Sequence, residues 1–96
     1  MPGEPGAATQ QTFLVEHYRP GATVTDLEQL VARMREAIDQ LDREGQPVRL
    51  RHATIVATDE SLLCVVEASS EDVVRLVYAR ASVTFERISA ALTEPS

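Results

Sequence analysis

Residues 48–68 read VRLRHATIVATDESLLCVVEA, two runs of branched and apolar side chains around a polar break. Val48 to Ala57 and Leu62 to Ala68 each have the length and composition of a strand. Thr58-Asp59-Glu60-Ser61 supplies a polar turn between them, so the stretch predicts a β-hairpin. A turn centred on Asp59-Glu60 sets His52 opposite Glu67 and Ile55 opposite Cys64.

Upstream of the hairpin the periodicity changes. Leu27, Leu30, Val31, Met34, Ile38 and Leu41 recur at three- and four-residue spacing and predict one apolar helix stripe. Thr25 and Glu28 read as a capping box at its start, Asp26 favours the first turn, and Gly45 and Pro47 end it. Before that helix, Thr12 to Tyr18 (TFLVEHY) is β-prone and stopped by Pro20-Gly21. Downstream, Ser69 or Ser70 caps a second helix with Glu71 and Asp72 in its first turn. Its stripe is Val73, Leu76, Val77 and Ala81, and a short last strand follows at about Thr84 to Ala90.

Strand, helix, strand, strand, helix, strand is the order of an α+β, ferredoxin-like βαββαβ sandwich, with a four-stranded antiparallel sheet and two helices on one face. The first and third strands are central in that topology. They also carry near-continuous apolar runs, Phe13-Leu14-Val15 and Leu62 to Val66. A strand wet on one face should alternate, so both faces of these strands are expected to be covered. Two helices cover one face. A second copy of the chain is the economical cover for the other, so a homodimer packed sheet to sheet or edge to edge is expected.

The chain has 96 residues, 44% of them apolar and 25% charged, which sets one small domain over 12–92. Residues 1–11 hold two prolines and two glycines and read as a disordered tail, and residues 93–96 as a frayed end. Cys64 is the single cysteine, so no disulfide within the chain supports the core. With no apolar run near a membrane span and no signal-peptide pattern, a cytoplasmic protein without a membrane partner is expected. A net charge of −6 argues against nucleic acid as a partner. All nine basic residues are arginine, and lysine, asparagine and tryptophan are absent, a bias that fits GC-rich actinobacterial coding.

The informative residues are the polar ones that interrupt apolar strands. In the expected register His52 and Glu67 share a face, a pair able to satisfy one another, to handle a proton or ligand, or to contribute to a metal site. Strand alternation sends either Glu16 and Tyr18 or His17 to that face, and Glu16 with Tyr18 is preferred because two carboxylates are costly beneath packed helices. Cys64 is expected to face away from His52, which argues against a Cys–His site, metal-binding or nucleophilic, within one chain. Arg49 and Arg51 read as solvent-facing charges on an edge strand. No glycine-rich phosphate loop and no paired metal-ligand spacing is present.

The run Phe13-Leu14-Val15-Glu16-His17-Tyr18, Pro20-Gly21, Pro47-Val48-Arg49, His52, Cys64 and Glu67-Ala68-Ser69 resembles the small actinobacterial domain-of-unknown-function family that includes nickel-binding ferredoxin-like proteins. Val74-Arg75 and Glu86-Arg87-Ile88 extend the resemblance, which covers roughly Thr12 to Leu92. It implies a ferredoxin-like fold, a dimer and, in some relatives, a bound divalent metal such as nickel. Relatives often carry Arg-Glu-His in the second helix and Gly-Gly-Phe-Pro after it. This chain reads Arg75-Leu76-Val77 and Ala81-Ser82-Val83-Thr84 there.

Three functions follow as expectations. The first is a homodimeric protein that holds a divalent metal or small ligand at or near the sheet face, through His52 and Glu67 with Glu16, Tyr18 or His17. The second is a dimeric α+β-barrel-type enzyme with a histidine general base and an apolar pocket of several hundred Å³. The third is an interaction-only scaffold.

Overall fold

Alternation decides which face of each strand is buried, and the burial along the chain follows it residue by residue. The structure, a computed structural model, describes residues 10–92. Its elements are β1 (Gln11–Tyr18), α1 (Val24–Arg43), β2 (Val48–Val56), β3 (Ser61–Ala68), α2 (Glu71–Ala81) and β4 (Arg87–Ala91). The sheet order is β2-β3-β1-β4 with every pairing antiparallel, so β1 and β3 are central as expected for the βαββαβ arrangement. The expected disorder of residues 1–11 and fraying of 93–96 fall largely outside the described residues, except that Gln11 already pairs with Ala68.

Phe13, Val15 and His17 of β1 and Leu62, Cys64, Val66 and Ala68 of β3 lie buried on one face. Leu27, Leu30, Met34, Ala37, Ile38 and Leu41 of α1 pack there, as do Val73, Val74, Val77 and Tyr78 of α2. Each fully buried large side chain contributes about 1.5–3 kcal/mol relative to exposure, so this single layer carries the fold. In α2 the buried stripe is turned from the expected one. Leu76 is 40% exposed, and Tyr78 occupies the core in its place.

The α1 cap lies two residues earlier than its sequence pattern suggested. Thr23 Oγ1 accepts from the Asp26 amide at 3.1 Å, and Asp26 Oδ2 accepts from the Thr23 amide at 2.9 Å. Gly45, at φ 90°, terminates the helix in the left-handed region. The last strand begins at Arg87, not Thr84, because Val83 to Glu86 run as a connection closed by the Glu86 amide on the Glu16 carbonyl at 2.9 Å.

The hairpin register is the main correction. His52 faces Val65 and Ile55 faces Leu62, whereas Glu67 faces Arg49. A two-residue hairpin turn at Asp59-Glu60 would need positive φ at Asp59, and in a type I′ turn at Glu60 as well, with no glycine at either position. The chain instead makes a single helical turn at Ala57–Asp59 and places Glu60 alone in the left-handed region at φ 53°. That loop consumes four residues and shifts the pairing by two. A bulge between Leu50 and His52 then shifts it again, with Arg51 as the extra residue.

Candidate functional site

The face of the sheet away from the helices gathers four of the expected site residues without joining His52 to Glu67. Glu67 is ion-paired with Arg51 at 3.3 Å, and Glu16 lies 3.8 Å from Arg87. His52 is exposed on the edge strand β2, and Tyr18 is 53% exposed at the end of β1. Between the two ion pairs lie Leu14, Leu63 and Val65, each only half-buried, in an apolar strip. Glu16 is on this open face, as preferred from alternation, and His17 is on the other.

His17 is where the polar chemistry enters the core. It is 2% exposed, the one polar side chain in the buried set of described residues. Its Nδ1 lies 2.9 Å from the Leu62 carbonyl. A carbonyl accepts only, so Nδ1 carries the proton and Nε2 carries the lone pair. No partner reaches that Nε2. Burial lowers the pKa of the ring below its ordinary value, and the Leu62 carbonyl, Arg19 and Glu86 have smaller, partly opposing effects.

Two further groups stand beside it. Tyr78 packs on His17 with ring centroids 5.3 Å apart and on Phe85 at 5.0 Å. Its hydroxyl is buried and also lacks a hydrogen-bond partner. Burial raises its pKa, and the neighbouring Cys64 adds to the shift. Cys64 is fully buried, and burial pushes its thiol up to about 11. Val15 faces Cys64 and His17 faces Leu62, so Cys64 and His17 lie on the same buried face, diagonal to one another across β1 and β3. Strand parity separates Cys64 from His52, as expected, and does not separate it from His17.

Among the described residues no group of three histidine, cysteine, aspartate or glutamate side chains is placed to hold a metal ion. The buried cluster becomes a three-donor set only when the Tyr78 hydroxyl is counted with His17 and Cys64. Sequence periodicity could have found Tyr78 only with the rotation of α2 known in advance.

A groove of about 860 Å³ runs between α1 and β2, over Ile38, Val48 and Leu50 with Arg35, Asp39 and Asp42 at its rim. Its described wall contains no histidine, so it does not supply the expected pairing of apolar pocket and histidine base.

The crystal structure of SCO4226 from Streptomyces coelicolor A3(2) matches with a TM-score of 0.72 and 19% sequence identity, over 88% of this chain and 99% of that one. At that identity the likeness establishes the fold. No curated protein matches the chain. Residues 13–90, which span β1 through most of β4, match the family described as Nickel responsive protein SCO4226-like. The chain belongs to the SCO4226-like family of nickel-responsive proteins.

Proposed function

We propose that this protein is a non-catalytic binding protein that takes a transition-metal ion at the buried cluster of His17, Cys64 and Tyr78 and works as a homodimer through its open sheet face. The observation that carries the metal reading is the His17 Nε2 lone pair, buried and without a partner. Buried polar atoms are almost always satisfied, and one that is not calls for an explanation. An imidazole lone pair beside a thiol and a phenol is a ligand set of nitrogen, sulfur and oxygen, suited to the later first-row metals. Membership of a nickel-responsive family supports the same class of ligand. Bound there, a metal ion would act as a tie between β1, β3 and α2, the elements that supply the three side chains.

The dimer reading rests on the half-buried strip of Leu14, Leu63 and Val65. That strip is flanked by three arginines (Arg49, Arg51, Arg87) and two glutamates (Glu16, Glu67), a mixed set on a chain of net charge −6. A two-fold copy therefore meets this face without the like-charge repulsion that the rest of the surface would impose.

Titration of the full chain with nickel(II), zinc(II) and copper(I) tests the metal reading. Saturable uptake of one ion per chain, lost in His17→Gln and kept in His52→Gln, is the expected result. No saturable uptake of any of the three ions, or loss only in His52→Gln, rejects the site.

A further inference from the structure

β4 leaves one edge of the sheet unpaired. The strand order puts β2 and β4 outermost, and no described strand pairs with β4 on its outer side. Whereas β2 loses step at its bulge, β4 holds one register with β1, from Arg87 opposite Glu16 to Ala91 opposite Thr12. Its five residues, RISAA, include no proline or glycine, and Arg87 at the first position is their only charge. A regular edge with so little charge presents a row of backbone donors and acceptors to a strand of matching pattern.

The side chains define that pattern. Ile88 faces Val15 and Ala90 faces Phe13, so both stand on the helix side of the sheet, and alternation puts Leu92 there as well. Exposure rises along this row. Ile88 is half-buried, Ala90 is exposed, and Leu92 is 91% exposed, an apolar side chain with almost no cover. On the open side the strand shows Arg87, Ser89 and Ala91.

We propose that the β4 edge docks the β4 edge of a second copy, antiparallel, with the two-fold axis through Ala90. A two-fold axis normal to a sheet keeps every side chain on its own face, so opposed residues must share parity and the axis passes through a residue position. At Ala90 it sets Leu92 of each copy against Ile88 of the other, Ala90 against Ala90, and Ser89 against Ala91. The two Arg87 side chains then stand about 20 Å apart along the strands, where salt screens them. An axis through Ser89 instead brings Leu92 against Glu86, and one through Ile88 brings it against Thr84. The edge is thus self-complementary about Ala90, which selects a second copy as its occupant. One short strand from each copy covers far less than the roughly 1,200–2,000 Å² of a stable interface, so the pairing belongs to concentrated protein. It is separate from the open-face contact and joins two chains side by side in one sheet.

The test uses Leu63→Arg, which removes the open-face contact, and follows its mass by sedimentation from about 10 μM to about 1 mM. A rise from one chain to two is expected, and adding Ala90→Arg, which sets like charges together on the axis, should abolish it. Cross-linking in the otherwise wild-type chain reads the register directly. Residues opposed on the axis have Cα atoms about 4.5–5.5 Å apart, within disulfide reach, while residues one position from it stand about 8 Å from their own copies. Ala90→Cys should therefore form a disulfide dimer at least about tenfold faster than Ser89→Cys on mild oxidation. Cys64 is fully buried and stays out of the reaction. A Leu63→Arg chain that remains single up to about 1 mM overturns the proposal. Equal cross-linking at the two positions overturns it as well. So does exchange protection of every β4 amide in the single chain, which would show the edge already covered by another segment of the same chain.

Discussion

His17 donates from Nδ1 to the carbonyl of Leu62, its own register partner across β1 and β3, at 2.9 Å. A backbone carbonyl thereby fixes the tautomer of the core histidine.

That buried imidazole makes the stability of the metal-free protein depend on pH. Burial puts the folded pKa below the ordinary 6.5, so in the window between the two values the unfolded chain binds more protons than the folded one. The contribution is complete above about 6.5 and is lost as pH falls through that value toward the depressed one. The melting temperature of wild type should therefore drop more steeply than that of His17→Gln between about pH 7 and 5. Parallel curves in thermal melts would count against a neutral, buried His17.

Tyr78→Phe should raise the stability of the metal-free protein. The substitution deletes a buried hydroxyl with no partner and keeps the ring against His17 and Phe85. An unsatisfied buried polar group costs about 1–3 kcal/mol, so a gain of about 1 kcal/mol is expected in urea denaturation. A loss of similar size would show that the hydroxyl is bonded in solution.

Leu63→Arg places a charge in the middle of the apolar strip, opposite Glu16 on β1 and Thr54 on β2. Its side chain points away from the helices, so circular dichroism should show an intact fold. Light scattering should show wild type at twice the chain mass and the variant at the chain mass. A monomeric wild type would remove the sheet-to-sheet dimer.

Thr23→Ala should destabilise by about 1 kcal/mol, since it removes the side-chain acceptor for the Asp26 amide. Thr25→Ala should be neutral or slightly stabilising, because that residue lies inside the helix, where alanine is favoured. Thermal melts of the two variants distinguish the observed cap from the one suggested by Thr25 and Glu28.

Ser82→Gly should stabilise by about 0.5–1 kcal/mol, because Ser82 closes α2 at φ 57° and glycine enters that region without a steric penalty. Glu60→Gly should not give the same gain, although Glu60 has φ 53°. Its carboxylate accepts from the Gly21 amide at 3.1 Å, a contact that glycine would lose. Equal gains in thermal melts would show that this contact contributes nothing.

The order of elements and the centrality of β1 and β3 were legible because period-two and period-3.6 patterns are local properties of the chain. Alternation alone split β1 into a Glu16 face and a His17 face without saying which meets the helices; only the cost of burying carboxylates favoured Glu16 outward. The hairpin register was not legible, because Ala57 to Glu60 chose a four-residue loop and Arg51 a bulge, and both depend on the pairing of whole strands. Cys64 and His17 share a face through the β1–β3 pairing, which joins residues far apart in sequence. Tyr78 joins them only because α2 is rotated to bury it and expose Leu76. The candidate cluster is therefore a product of long-range pairing, and no spacing within the chain announced it.

The bulge at Arg51 has a bearing on how many copies can associate. A flat, free edge strand is a template on which molecule after molecule can add. On β2 the ladder loses step between Leu50 and His52, so an incoming strand in phase with one half is out of phase with the other. Arg49 just before the break and Arg51 within it add positive charge there. Strand addition is thus opposed at this edge of the sheet. One extra arginine in this strand thus guards the β2 edge against open-ended addition.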